Sequence, residues 1–130
     1  MELPQADRDM IHQLAMGMNE RNRRQRAKRA LQLAERVDEA HREVGRLVAE
    51  FRRIDPELER VVLFGSLARS SVTRLSFDID LAVSTRRYLE LLGPALASPF
   101  KVDLVDLETA SPYVREAISR DGVEKYRAGA

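Results

Sequence analysis

The hydrophobic periodicity of this sequence changes at Pro56, and this change constrains the fold more than any other feature. Before Pro56, apolar residues recur at alternating spacings of four and three, which is the pattern of an amphipathic helix. After Pro56, short apolar runs and alternating segments indicate β-strands separated by helices. The sequence therefore predicts a helical extension over residues 1–55 and an α/β (α+β) domain over residues 56–130.

The N-terminal part is predicted to be helical. An apolar stripe runs from Ala30 to Phe51, and Asp55 is biased away from helical angles because a proline follows it. We therefore expect one long helix that ends near Ile54. An earlier apolar cluster, Met10–Met18, predicts a separate and shorter helix, which Gly17 weakens towards its end.

The C-terminal part alternates between strands and helices. Phe77–Val83 alternates strictly between apolar residues on one face and Asp78, Asp80 and Ala82 on the other, so the two carboxylates are expected to project from one side. The predicted strands are Val61–Phe64, Phe77–Val83, Lys101–Leu107 and an edge strand Val123–Tyr126. The predicted helices follow Ser66, span Arg86–Leu92 before Gly93-Pro94, and lie between Ser111 and Gly122.

The paired carboxylates predict a metal site. Asp78 and Asp80 would repel each other and resist desolvation unless a cation lay between them, although a solvated strand face is the simpler alternative. Oxygen ligands suit Mg²⁺ or Mn²⁺, and Mg²⁺ in proteins commonly joins a few carboxylates to substrate phosphates. Asp103 lies within an apolar strand, where an unpaired carboxylate would be costly, so the same site is expected to supply its partner.

The Gly-Ser pair after the first predicted strand is a candidate phosphate site. Gly65 allows close backbone approach, and Ser66 is expected to cap a short helix whose N–H groups and positive end suit phosphate oxygens. Arg69 is expected to bind phosphate, with a surface ion pair as the alternative. The first two carboxylates would then hold the metal ions that bind a nucleoside triphosphate, and the third would help to activate an attacking hydroxyl.

These residues carry a family resemblance. In their order, spacing and strand context, three segments resemble the minimal nucleotidyltransferases of the DNA polymerase β superfamily: Leu63–Arg69, Asp78–Val83 and Val102–Leu107. The similarity covers about residues 58 to 126. Two positions depart from the family pattern, since Ser70 stands where a glycine is common and Phe77 where a serine is usual.

The resemblance implies a fold, an activity and a partner. It implies a polymerase β-like nucleotidyltransferase fold, in which helices flank a mixed sheet, and Mg²⁺-dependent nucleotidyl transfer from ATP or a related triphosphate. It also implies metal-binding and catalytic roles for Asp78, Asp80 and Asp103. Many such proteins are paired with a HEPN-domain protein, often as an antitoxin that adenylylates the toxin. We therefore expect transfer of AMP from ATP to a hydroxyl of a HEPN-like helical partner protein.

Other functions and contacts stay open from the sequence. The chain could neutralise a partner by binding without turnover. The basic run Arg21–Arg29 could bind nucleic acid, although it has no interleaved aromatic residue and such runs are usually solvated. The stripe on the long helix could pack on its own domain, form a homodimer or bind a partner. His41, within that stripe, is expected to have a buried or interfacial packing role.

Composition limits the remaining classes. The chain has 130 residues, no cysteine and a net charge of +1, which excludes disulfides and thiolate metal sites and gives no overall preference for nucleic acid or membrane. No apolar run approaches the roughly 18 residues of a membrane span, and the N-terminus lacks a signal-peptide pattern. These observations predict a soluble, cytoplasmic protein that does not contact membranes.

Overall fold

The computed structural model describes residues 2–129 and divides the chain into two compact units, Met1–Ala34 and Glu35–Ala130. The domain boundary after residue 55 stays a prediction. The described elements, in chain order, are α1 (Gln5–Ile54), β1 (Arg60–Phe64), α2 (Gly65–Ala68), β2 (Ile79–Ser84), α3 (Tyr88–Ala97), β3 (Val102–Asp106), α4 (Pro112–Asp121) and β4 (Val123–Arg127).

The N-terminal part of the chain is one continuous helix. α1 ends at Ile54, as the following Asp-Pro pair predicts. The prediction of a separate short helix over Met10–Met18 was wrong, because α1 passes through Gly17 without interruption. A single helical glycine costs only about 1 kcal/mol relative to alanine, which its helix-forming neighbours can offset. Although α1 is long, no helix within residues 2–129 combines the length and apolarity that a membrane span requires.

Within the second unit, one side of α1 is buried. Ala40, Val44, Leu47 and Phe51 recur at spacings of four, three and four, and their side chains are inaccessible to solvent. The burial expected for His41 was wrong, because its side chain is exposed, whereas the interfacial alternative stays a prediction. His41 lies about 100° around the helix from the fully buried Ala40, which places it outside the packed stripe.

The sheet contains four strands in the order β3-β2-β1-β4. β1 pairs antiparallel with β2 and with β4, whereas β2 pairs parallel with β3. A parallel pair requires a crossover connection, and α3 lies in the segment that joins β2 to β3. The predicted mixed sheet with flanking helices is confirmed, and so is the position of β4 as an edge strand.

Helices cover both faces of the sheet. On one face, α1 and α3 contribute to the larger apolar cluster, and on the other, α4 contributes to the smaller one. The larger cluster comprises Ala40, Val44, Leu47, Phe51, Leu58, Val61, Leu63, Leu67, Ile79, Leu81, Val83, Leu91, Ala95, Phe100 and Leu104. The smaller cluster comprises Val62, Phe64, Ala82 and Ile118. Successive residues of β1 and β2 therefore alternate between the two clusters.

The start of α4 follows directly from its sequence. The Ser111 hydroxyl accepts a hydrogen bond from the Val114 N–H at 3.2 Å, and Pro112 is the first helical residue. A serine cap satisfies an N–H that the first turn leaves unpaired, and a proline at this position loses no helical hydrogen bond. The helix ends before Gly122, as predicted.

α3 extends further than its sequence predicts. The helix was expected to stop at Gly93-Pro94 but continues to Ala97 with Pro94 inside it. Leu91 and Ala95, one helical turn apart, are both buried in the larger cluster. Their packing outweighs the cost of an interior proline, which is about 3 kcal/mol.

Candidate nucleotide and metal site

The second strand positions two of the candidate carboxylates. β2 begins at Ile79, two residues later than predicted, so Asp78 directly precedes the strand and Asp80 is its second residue. Ile79 between them is fully buried in the larger cluster, whereas both aspartates are half-buried. Strand alternation therefore directs Ile79 to the core and the two carboxylates to the opposite face.

The neighbouring parallel strand brings the third carboxylate. Asp103 on β3 is the direct register partner of Asp80. Oxygen atoms of Asp78, Asp80 and Asp103 all lie within 4.8 Å of one another. The desolvation expected for Asp103 from its apolar neighbours in sequence was wrong, because its side chain is exposed on the edge strand of the sheet. Strand register, not desolvation, places Asp103 in the cluster.

The cluster carries more negative charge than its surroundings neutralise. Burial, followed by the charges of Asp103 and Asp78, raises the pKa of Asp80 from 3.8 to about 6. The charges of Arg69 and Lys101 act in the opposite direction but do not cancel this effect on the pKa. The Lys101 ammonium lies 3.5 Å from an oxygen of Asp78. A bound cation would relieve the repulsion that remains.

The three side chains fit a divalent metal ion. All three offer carboxylate oxygens, which Mg²⁺ and Mn²⁺ prefer, and none offers nitrogen or sulfur. Two oxygens bound to one Mg²⁺ at about 2.1 Å lie about 3 to 4 Å apart, so separations within 4.8 Å require only small side-chain movements. Asp78, Asp80 and Asp103 could therefore hold the metal that the family resemblance implies.

Gly65 is fitted closely against Asp80. Its φ of +76° lies in the left-handed region, which glycine adopts without steric cost. A Cβ atom at this position would lie 2.1 Å from an Asp80 carboxylate oxygen and 3.0 Å from its Cγ. Any other residue would therefore displace the Asp80 carboxylate, so Gly65 supports the carboxylate cluster as well as a tight turn.

A cleft of about 560 Å³ opens beside this turn. Among its lining residues are Gly65, Ser66, Arg69, Asp78 and Asp80. The candidate phosphate site at Gly65-Ser66 and the candidate metal site at Asp78 and Asp80 thus line one cleft. Asp103 joins them through the carboxylate cluster.

The predicted capping role of Ser66 was wrong. The residue before α2 is Phe64, no side chain caps the helix, and Ser66 lies inside its single turn. Gly65 makes the turn through its positive φ, and the helix starts two residues earlier than predicted. The Ser66 carbonyl accepts the Ser71 N–H at 3.0 Å and so ties the following loop to this turn.

Sequence reasoning missed the contribution of α4 to the cleft. Tyr113, Ala117 and Arg120, at spacings of four and three, line it from this helix. One carboxylate oxygen of Asp121 lies 2.9 Å from Arg120 and 3.6 Å from Arg69, so Asp121 holds both guanidinium groups. The helical spacing of the three lining residues was a visible signal, but the sequence does not show which elements α4 packs against.

The loop before β2 adds a third arginine. Arg74 lines the same cleft as Arg69 and Arg120, so three arginines line one space together with Asp78 and Asp80. Arginine side chains suit phosphate oxygens, whereas carboxylates suit metal ions. The cleft therefore has the charges that a metal–triphosphate ligand requires.

A family model decides the class of this domain. The model for polymerase beta nucleotidyltransferases matches residues 48–127, more than half of the chain. The chain belongs to the polymerase beta nucleotidyltransferase family. The matched residues of this nucleotidyltransferase include every element that contributes to the carboxylate cluster and the cleft.

Solved structures support the same fold for this nucleotidyltransferase. One is a toxin–antitoxin with AMP-PNP, at 28% identity over 65% of this chain and 73% of that chain, with a TM-score of 0.53. Another is the tri-AMPylated HEPN toxin of Shewanella oneidensis in complex with MNT antitoxin, at 26% identity over 68% and 72% of the two chains, with a TM-score of 0.52.

A more distant structure shows the fold alone. It is a Sulfolobus solfataricus protein proposed to be a nucleotidyltransferase, at 17% identity over 75% of this chain and 88% of that chain, with a TM-score of 0.55. A search of curated proteins gave no significant match to this sequence.

Proposed function

We propose that this nucleotidyltransferase transfers AMP from ATP to a hydroxyl group of a partner protein, with Mg²⁺ or Mn²⁺ as its cofactor. One observation carries the proposal: three carboxylates with oxygens within 4.8 Å of one another adjoin a cleft that three arginines also line. A carboxylate cluster alone would suit many cations. Its combination with guanidinium groups favours a metal-bound triphosphate.

Each residue has a role in this proposal. Asp78 and Asp80 would hold the metal ion, which when bound would supply neutralisation of phosphate charge and a lower pKa for the attacking hydroxyl. The backbone at Gly65 and Ser66 approaches the phosphates, and Arg69 pairs with their oxygens. The hydroxyl oxygen bonds to the α-phosphorus as the bond to the bridging oxygen breaks, and pyrophosphate leaves. Asp103, the exposed carboxylate, takes the hydroxyl proton.

We further propose that the partner is a HEPN-like helical protein and that the pair forms a toxin–antitoxin system. The similar solved structures include a toxin–antitoxin with AMP-PNP and an AMPylated HEPN toxin in complex with MNT antitoxin. In this proposal, residues 56–130 form the catalytic domain. Residues 1–55 form a helical extension, and its last part contributes Ala40, Val44, Leu47 and Phe51 to the core that supports this domain.

The proposal is tested by labelled transfer. The full chain is incubated with Mg²⁺, ATP labelled at the α-phosphate and a HEPN-like helical protein as the candidate acceptor, and label on that protein is measured together with released pyrophosphate. We expect Asp78→Asn and Asp103→Asn to reduce the transfer rate by about 100-fold or more, because each removes a charged group that acts in the transition state.

A matched control lies on the same strand. Asp106 accepts the Glu108 N–H at 3.0 Å and lies outside the carboxylate cluster, so Asp106→Asn keeps this acceptor and is expected to retain wild-type transfer. Transfer that survives Asp103→Asn would exclude the proposed role of Asp103. Tight binding of the partner without any calorimetric signal from ATP and Mg²⁺ would instead favour a binding module without turnover.

A further inference from the structure

The first unit carries an apolar stripe that the proposed activity does not use. Met10, Ile11, Leu14 and Met18 recur at helical spacings within α1, and all four side chains are exposed. Among residues 2–34, the described part of this unit, there is no second helix or strand against which the stripe could pack. A single helix in water gains little stability without packing of its apolar side.

Opposite charges flank the stripe at equal distances. Asp7 and Arg21 lie seven residues before and after Leu14, which is about two helical turns in each direction. A seven-residue repeat keeps positions on one side of a helix, so both charges lie on the side of the stripe. From its N-terminal to its C-terminal end, this surface is acidic, apolar and then basic.

We propose that the stripe is covered by the same stripe of a second copy of this chain, in an antiparallel arrangement centred on Leu14. The antiparallel direction sets Asp7 of each copy against Arg21 of the other. A parallel arrangement would set Asp7 against Asp7 and Arg21 against Arg21, so charge complementarity selects the antiparallel pair.

Gly17 also favours an antiparallel pair centred on Leu14. In the antiparallel arrangement Gly17 of one copy lies opposite Ile11 of the other, and nothing lies within 4 Å of the position that a Gly17 Cβ would occupy. The absence of a side chain leaves room for the facing isoleucine, as small residues do where two helices approach closely. A nucleic acid on the neighbouring basic run would use its charges but leave the apolar side chains uncovered.

Sedimentation velocity over a concentration series tests the proposal on the full chain. Wild-type protein is expected to form a dimer as its concentration rises, whereas Leu14→Lys, which places two like charges at the centre, is expected to stay monomeric. Met16→Lys is a matched control, because Met16 is 58% exposed against 60% for Leu14 and lies about 200° around the helix from it. A wild-type chain that is monomeric at every concentration would overturn the proposal.

Charge exchange tests the direction of the pair. Asp7→Lys and Arg21→Asp should each weaken the homodimer about tenfold, because each replaces two attractive contacts with two repulsive ones. An equimolar mixture of the two variants should recover wild-type dimerisation, since each charge then faces its opposite. Failure of the mixture to recover would exclude the antiparallel arrangement, as would a dimer that persists in Leu14→Lys.

Discussion

The two faces of the sheet differ in how much apolar surface covers them. α1 and α3 cover one face with the larger cluster, in which the Phe51 and Leu81 side chains are inaccessible to solvent. α4 covers the other with the smaller cluster, and the carboxylates and the cleft lie on this side. β2 thus contributes to stability on one face and to the candidate site on the other. Substitutions on opposite faces should therefore separate folding from chemistry.

The largest expected effect is on the face covered by α1. Phe51→Ala should lower the free energy of unfolding by about 3–5 kcal/mol, because the surrounding cluster cannot collapse into the cavity. Ile118→Ala, in the smaller cluster and at the edge of solvent, should cost about 2 kcal/mol. Urea denaturation of both variants measures the difference. Equal losses would mean that the two faces contribute equally to stability.

The next largest effect is expected where the Gly65 backbone lies against the Asp80 carboxylate. Gly65→Ala should lower the free energy of unfolding by about 1–2 kcal/mol, because alanine disfavours positive φ. It should also weaken Mg²⁺ binding at least about tenfold, since its Cβ would displace Asp80. Calorimetry and urea denaturation measure the two effects.

Gly45 offers the matched control for this substitution. It lies within α1, and nothing lies within 4 Å of the position that its Cβ would occupy. Gly45→Ala should therefore stabilise the chain by up to about 1 kcal/mol and leave Mg²⁺ binding unchanged. Unaltered Mg²⁺ affinity in Gly65→Ala would show that the site tolerates movement of Asp80.

A smaller effect is expected from relief of repulsion within the carboxylate cluster. The folded chain holds the Asp80 proton with a pKa of about 6, against 3.8 for an ordinary aspartate. Ionisation of Asp80 therefore opposes folding. The stability that protonated Asp80 contributes is fully present below pH 3.8 and is lost as the pH rises to about 6. Asp103→Asn should lower the pKa of Asp80 and stabilise the metal-free chain by about 0.5–1 kcal/mol above this range.

Thermal unfolding in metal-free buffer across this pH range measures the effect. The Asp103→Asn profile should lie above the wild-type profile at the high end of the range and approach it at the low end, where Asp80 is protonated in both. Asp106→Asn serves again as the control on β3. Superimposable profiles for wild type and Asp103→Asn would contradict the electrostatic account of the cluster.

The smallest expected effect lies in the loop after α2. Ser70 has a φ of +56°, and it stands where a glycine is common in the family that the sequence resembles. Ser70→Gly should stabilise the chain by about 0.5 kcal/mol, since glycine adopts this conformation freely but has more freedom in the unfolded chain. The neighbouring Ser71→Gly, at a residue without positive φ, should be neutral or destabilising. Thermal unfolding measures the stability of both variants. Equal changes in stability would show that relief of backbone strain at Ser70 is not the cause.

The parts of the fold that local patterns determine were predictable. Period-two alternation placed Ile79 in the core and the flanking aspartates on the other face, and the Ser-Pro pair placed the start of α4. These features depend on neighbouring residues along the chain, so the sequence states them directly.

The parts that depend on distant packing were not predictable. β3 lies at the sheet edge, which leaves Asp103 exposed although its neighbours in sequence are apolar. Arg120 and Asp121 reach the cleft because α4 packs on that face, and no local pattern indicates this. The exposure of His41 likewise depends on which side of α1 meets the sheet. Strand order and helix rotation are decided by the whole core.

The contact between Gly65 and Asp80 also limits how this part of the sequence can change. The Asp80 carboxylate fills the space that a Cβ atom at position 65 would need, so a larger residue at position 65 requires the carboxylate to move. Asp103, by contrast, is exposed on an edge strand of the sheet. A change at Gly65 therefore acts first on Asp80 and reaches Asp103 only through the carboxylate cluster.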